Sequence, residues 1–553
     1  MTKKVRGWYN SNMSKKMIKT SEYTQANFFM IATGVILLLY IYLLVCLYPF
    51  LIEPGYAETS RVKYGFLIAV SYGFSVGPFL IPTFVPLSLL FIFIGNIIYI
   101  KNSGKRIKDF VKSLKFSSTD IMAAIYILFV IISTIVTPYK ADLLWGAVTW
   151  YMGFASQFLF IFLYFITSRF FDIDELKGLI YMSFAASAVI FAIGILQRFG
   201  LDIFNLYAGL ENKLYISTIG QHTHFSSYMI LFYVLGVITV WISEPKSVMR
   251  KIAIAHLVLA SCLPCILNAD MIFSGLFFAL SFIFVMSFES IERIKAFFEI
   301  ALIILLTWKL IGIIWYLVKP EFRLEPLPKL IMQSPYIWIP IVCLLVIYVF
   351  ICRKAGEKVR FNVAKYRYLG YIYIGILGFI IVSTVVYIIL NTAQLLPQNL
   401  QSHANYLLFN YNWGNGRGAI WHDSVMSFIE EFKTAPLNAL FGVGPDQFVH
   451  VLDEYVHEWI VLYTDKIAYN AHNEWLNAFI NYGLFGGIAY LGIFISAIVR
   501  FIKNREAAPA AFAVSVIIVA YLAHQMFGYQ QFVSTPYIFM AIGIGEQAVR
   551  RNS

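Results

Sequence analysis

The amino-acid sequence predicts an all-α polytopic membrane protein of about 14 transmembrane helices, with one large, partly helical external loop between late spans. Three observations carry that prediction. The chain is 60% hydrophobic and only 13% charged, whereas soluble domains are about a quarter charged. Apolar runs repeatedly approach the roughly 20 residues that cross a bilayer. The Lys and Arg behind the net charge of +12 cluster in short loops between those runs, as cytoplasmic loops do. That clustering argues against a nucleic-acid surface.

The elements follow in order. Met1–Thr24 is polar and carries Lys3, Lys4, Arg6, Lys15, Lys16 and Lys19, which places the N-terminus in the cytoplasm. A retained span follows at 28–52, with no small-residue cleavage site before it. The apolar stretch 64–100 is too long for one span and holds Pro78, Pro82 and Pro86. The basic loop "KNSGKRIKDFVKSLK" behind it lets that stretch cross only once, with its first part re-entrant or interfacial. Further spans are expected at 119–137, 146–167, 178–197, 224–242, 252–268, 272–288, 298–318, 336–352 and 368–390, then at 476–500, 509–527 and 533–548. The chain thus divides into a cytoplasmic basic tail (1–27), an N-terminal transmembrane bundle (28–390), an external cap (391–474) and C-terminal transmembrane helices (475–553). The five cysteines lie in or beside apolar runs, so Cys262 and Cys265 read as packing residues rather than a redox or metal motif.

Residues able to do chemistry gather at the external rim. Seven of the nine histidines fall there: His222, His224, His403, His422, His450, His457 and His472. Histidine is the side chain suited to proton transfer near neutral pH. Arg417 is the only Arg between Arg367 and Arg500, in a cap rich in Asp and Glu. It reads either as a surface ion pair or as a fork for a diphosphate. "FGVGPDQF" has a G-x-G but lacks the spacing of a nucleotide loop, so it reads as a tight turn. His450 with Glu454, or Asp453 with His457, stands at the i,i+4 spacing of a metal pair or of a solvated face. "STIGQHTHFSSYM" reads as an interfacial polar belt, or else as the lining of a sugar or phosphate pocket. "AHNEWLNAFINYGLFGG" puts His472 and Asn473 ahead of an apolar helix that contains Gly483, Gly486 and Gly487.

These stretches resemble the O-antigen ligase and polymerase family of membrane glycosyltransferases. His472-Asn473, nine residues, then Gly483-Leu-Phe-Gly486 is similar to the family's ligase signature. Arg417, Trp421, Pro436 and "GVGPDQF" follow the family's Arg, Trp, Pro, Gly-x-Gly, Phe order. "GILQRFGLDIF" before "STIGQHTHFSSYM" resembles its Gln-containing span end and Gly-rich re-entry. The chain departs from the family at "ILNADMIFSGLF", where a Ser-Arg pair is common, and at His224, where Asn is commoner.

The resemblance implies a GT-C-like, inverting and metal-independent enzyme without cofactor. Its donor would be a polyprenyl diphosphate-linked glycan, and its acceptor a glycan, glycolipid or protein hydroxyl. The setting would be the outer face of a bacterial cytoplasmic membrane. His472 and Arg417 would be catalytic. Asn473, Trp421, His222, His224, Gly483 and Gly486 would bind substrate, and Arg198 or Lys213 would supply a second cation. The glycines would line a groove for a lipid tail or a neighbouring helix. A polymerase or a protein O-oligosaccharyltransferase shares this frame. A lipid-linked glycan flippase is the rival from another class. It would use ionisable residues within spans, of which Lys309 is the example, with Asp270 a lesser one in the short turn between two spans.

Overall fold

The structure is a computed structural model and describes residues 20–76, 79–103, 115–207, 210, 214–356, 362–455, 458–463 and 468–552. It is 75% helical, and among the described residues there is almost no sheet and eleven helices are long and apolar enough to cross a membrane. The all-α polytopic class read from the sequence therefore holds.

The first helix, α1 (Thr20–Cys46), packs along α3 (Phe84–Ser103). Between them lie α2 (Thr59–Tyr72) and an antiparallel hairpin, β1 (Gly73–Val76) with β2 (Phe79–Pro82). The long apolar stretch is thus divided where its prolines forbid a continuous helix. Pro82 ends β2 and Pro86 sits in the first turn of α3.

The next helices are α4 (Ser118–Val136), α5 (Phe154–Phe170) and α6 (Leu176–Arg198). Helix α5 starts eight residues later than the apolar pattern predicts. Residues 142–153 form an irregular loop instead, with positive φ at Asp142, Gly146, Thr149 and Tyr151. Hydropathy cannot register this, because the loop is shaped by a distant carboxylate described below. A small hairpin, β3 (Tyr215–Ile216) and β4 (Gly220–Gln221), leads into α7 (His222–Ile242), the most enclosed of the span-length helices.

Helices α8 (Val248–Ser261), α9 (Pro264–Leu267), α10 (Met271–Met286), α11 (Ile291–Val318), α12 (Pro326–Gln333), α13 (Trp338–Gly356) and α14 (Arg367–Thr392) follow. Pro264 breaks the expected 252–268 span into α8 and α9. Helices α13 and α14 leave most of their apolar side chains uncovered at the periphery. The segment between α14 and the last three helices holds α15 (Trp413–Thr434), α16 (Pro436–Phe441), α17 (Phe448–Glu454) and α18 (Glu458–Tyr463).

The final helices are α19 (Glu474–Lys503), α20 (Pro509–Gln525) and α21 (Thr535–Asn552). They insert into the earlier bundle. Helix α19 packs on α4, α20 on α7 and α10, and α21 on α5. The ends of α4, α5 and α21 meet at Asp120, which is fully buried. Its carboxylate accepts from Tyr164 Oη at 2.8 Å, pairs with Arg169 at 3.1 Å and pairs with Arg550.

Three of the polar side chains buried inside the bundle illustrate how it holds such groups. His256 Nε2 meets Ser187 Oγ at 2.8 Å, and His524 Nε2 meets Ser226 Oγ at 2.7 Å. Lys309 Nζ donates to Met332 O at 2.7 Å and Ser334 O at 3.0 Å. It thereby neutralises the carbonyl end of α12, where a cation is favourable. Cys262 and Cys265 are free thiols within the packed helices.

Candidate active site

The site forms where the turn before α19 meets the start of α15 and the α20–α21 loop. His472 has φ +45°, a conformation tolerated mainly in special turns. Its N–H donates to Asn470 Oδ1 at 3.0 Å, which closes that turn. Asn473 is the N-cap of α19, and its Oδ1 accepts from Trp475 N at 3.0 Å and Leu476 N at 3.2 Å. The Asn of the signature therefore caps the helix. Its neighbour His472, whose residue is partly exposed while its ring is enclosed, lies edge-on to Tyr529 with ring centroids 5.4 Å apart.

Arg417 comes to the same place from α15. Gly414, Asn415 and Gly416 all adopt left-handed φ, so the straight part of α15 begins at Arg417. Its Nη1 donates to Gly414 O at 2.9 Å and its Nη2 to Phe527 O at 3.3 Å. Phe527 and Tyr529 belong to one short loop, and that loop brings Arg417 and His472 together. Burial, and then the charge of Arg417, push the His472 imidazole down to about 4. At neutral pH the ring is an uncharged proton acceptor.

Trp421 positions the turn rather than facing it. Its indole N–H donates to Ala471 O at 3.0 Å, the carbonyl just before His472. Its ring stacks on Phe527 with centroids 6.1 Å apart.

The glycines serve packing. Gly483 (φ +71°, ψ −179°) breaks α19, and a Cβ there would strike the backbone of Gly442 and Leu440. Gly442 (φ +91°) meets Asn481 and Tyr482 in the same way. Gly444 N donates to Asn481 O at 2.9 Å, and Gln447 N to Asn481 Oδ1 at 3.1 Å. The G-x-G turn and the glycine of the signature thus form one backbone-to-backbone clasp. Gly486 and Gly487 lie against Phe129 and Phe479 respectively.

The remaining candidates surround this centre. His224 is buried, with its ring 6.2 Å from that of Tyr529. His222, at the start of α7, lies within the field of Arg198. Arg198 itself is buried and stacks its guanidinium on Phe322 at 3.9 Å, while Nη1 donates to Tyr207 Oη at 3.2 Å. It lines a separate cleft with Lys319 and Phe322. Lys213 lies outside the described residues. In the "ILNADMIFSGLF" stretch Asp270 is half-buried, with Glu325 close by. Burial raises both carboxyls, and Arg417 partly offsets the rise.

In the 393–473 segment, His450 stacks on Tyr139 and Glu454 accepts the Tyr139 hydroxyl. His422 pairs with Asp423 at 2.7 Å and stacks on Trp459. His457, half of one proposed metal pair, lies outside the described residues. His403 lines a shallow surface hollow with Asn410 and Asn415.

Sequence reading missed four contributors. Tyr529 and Phe527 are ordinary aromatics in an apolar stretch, with no local signal. Asp446 sits within the recognised "GVGPDQF" and accepts from Ala147 N at 2.8 Å and Met152 N at 3.2 Å. Lys63 is buried and donates to Pro49 O at 2.9 Å. A lone lysine at the head of an apolar run was the available signal.

The fold defines a polytopic helical membrane protein, and His472 and Arg417 form a polar cluster where three of its segments meet. More particularly, residues 331–491 match the family model described as O-Antigen ligase, so this part of the chain is similar to that family. The matched region runs from α12 into α19 and contains Arg417, Trp421, His472, Gly483 and Gly486. It supports an O-antigen ligase-like membrane function with glycosyltransferase-type activity. No curated protein matches the chain.

Proposed function

We propose that the protein transfers a glycan from a polyprenyl diphosphate to an acceptor hydroxyl at the outer face of a bacterial cytoplasmic membrane. The observation that carries this reading is the meeting of His472 and Arg417 across the Phe527–Tyr529 loop. The acceptor oxygen attacks the anomeric carbon while its proton passes to His472. The bond from that carbon to the diphosphate breaks, and the electron pair leaves with the diphosphate. Arg417 stabilises the charge that develops there. A cation beside His472 disfavours imidazolium until the leaving group supplies compensating negative charge. Proton uptake and bond cleavage are therefore coupled by electrostatics. One in-line displacement inverts the anomeric centre, and these groups need no metal. The caps and turns of the 391–474 segment would then stand outside, over the mouth of the bundle.

Transfer in proteoliposomes, from a defined lipid-linked donor to candidate acceptors, tests the proposal. His472→Ala and Arg417→Ala should each abolish transfer without lowering the amount of protein in the membrane, and chelators should leave the wild type unaffected. Normal transfer by either inserted variant removes that residue's role. In cells lacking the protein, donor should accumulate on the outer leaflet. Accumulation on the inner leaflet alone would make the protein a flippase.

A further inference from the structure

A cleft opens beside the centre, between the turn at Tyr56, the 142–153 loop and the β3–β4 hairpin. Aromatic rings form its walls. Tyr56 and Tyr215 stack with centroids 5.0 Å apart, and Trp150 meets Tyr529 edge-on at 4.9 Å. Tyr529 is the shared partition, since the same ring lies against His472 at 5.4 Å. Gln221 and His224 add hydrogen-bonding groups, and Glu58 stands at the open rim paired with Arg61 at 3.5 Å.

The chain goes to some length to present Trp150. Its neighbours Thr149 (φ +80°) and Tyr151 (φ +55°) both hold a left-handed backbone, although neither is glycine. Thr is β-branched, for which this conformation is an outlier. Such outliers persist only where surrounding structure over-determines them. Here the Asp446 carboxylate does so, holding the N–H groups of Ala147 and Met152 on either side of the tryptophan. The Tyr64 hydroxyl adds a hydrogen bond to Trp145 O at 3.1 Å.

We infer that this cleft is a saccharide subsite in which Trp150 is the stacking platform for a pyranose ring of the transferred or receiving glycan. The negative face of an aromatic ring attracts the C–H dipoles on the flat side of a pyranose. Amide, imidazole and carboxylate groups around the platform suit the sugar hydroxyls. A lipid tail is excluded by those same polar groups. It is better suited by the apolar groove that Ile41, Leu179, Leu231 and Ile538 line with almost no polar atoms. The inference rests on the transferase reading for the reaction, though not for binding.

The test uses the full chain in detergent with two variants, Trp150→Ala and Trp150→Phe. The binding probe is soluble oligosaccharide released by mild acid from the host's surface glycan, observed by saturation-transfer NMR. In parallel, transfer is measured with donor and acceptor titrated separately. Trp150→Ala should weaken oligosaccharide binding about tenfold and raise the KM of one substrate by a similar factor. Trp150→Phe, which keeps a ring, should fall between. The substrate whose KM rises identifies the glycan's source. Unchanged binding and unchanged KM for both substrates in Trp150→Ala overturns the subsite. Wild-type protein that binds the oligosaccharide through Trp150 but transfers nothing overturns the transferase reading and upholds the subsite.

Discussion

Replacing Gly483 with Ala should disable the protein although Gly483 touches no reacting group. With φ +71° and ψ −179° it occupies a region open essentially to glycine alone. Holding an L-residue there costs about 1–3 kcal/mol. The new Cβ would also meet the backbone of Gly442 and Leu440, which cannot rotate away as a side chain can. Taking ~3 kcal/mol in all, and an unfolding entropy of roughly 2.1 cal/mol/K per residue over 553 residues, the apparent Tm falls by about 2.5 °C. Activity should fall further, by tenfold or more, because a displacement of about 1 Å in a reacting group can cost 10²-fold, and the clasp sets the position of both the G-x-G turn and the His472 end of α19. The matched control is Gly375→Ala in α14, where a Cβ meets nothing within 4 Å. A helix interior there gains up to about 1 kcal/mol from Ala. Thermal unfolding in detergent and transfer in proteoliposomes read both variants. If Gly483→Ala melts with Gly375→Ala and transfers normally, the clasp has no structural role and the argument fails.

Three further outcomes are expected. Trp421→Phe keeps the stack on Phe527 but loses the hydrogen bond to Ala471 O, worth about 1 kcal/mol; kcat should drop about fivefold with KM little changed, and an equal rise in KM would show that the indole binds substrate instead. Burial raises the Glu431 carboxyl to about 8, so the folded state holds its proton while the unfolded chain releases it near 4.5. Stability should therefore fall as pH rises from about 4.5 to 8, and Glu431→Gln should melt higher than wild type at pH 8, with the gap closing towards pH 5. A Tm difference independent of pH would contradict that assignment. His472, held near 4 in the free protein, should give a kcat/KM flat from pH 7 to about 5; an acid limb centred near 6.5 would mean that the imidazole is neither buried nor under the influence of Arg417.

How much of this was legible in the sequence depended on how local each feature is. The span-length helices announce themselves, because twenty apolar residues have one economical fate in a bilayer. The division of the 64–100 stretch is equally local, whereas the break at Pro264 inside the expected 252–268 span was not read although its proline was in view. The start of α5 was misjudged because the 142–153 loop is bent by Asp446, some three hundred residues away, and apolar content alone cannot register such a contact. Within the site, His472, Asn473 and the glycines could be singled out by spacing, and Arg417 by its isolation. The assignment of Asn473 to capping and of Gly483 to a backbone clasp required coordinates. Tyr529 and Trp150 had no signature at all, since each is one aromatic among many and matters only for what the fold sets beside it.

The meeting of three helix ends at Asp120 bears on how the protein is made. Arg550, one of the two cations on this carboxylate, arrives with α21, the last of the described helices to emerge from the ribosome. Asp120 and Arg169 can pair without it, one charge against one, so the closing helix brings a surplus cation and not a missing partner. Arg550 also donates to Lys115 O at 2.9 Å, just ahead of α4. The earlier part of the bundle can therefore settle its own buried charge first, and the last described helix then latches onto a carboxylate that is already in place.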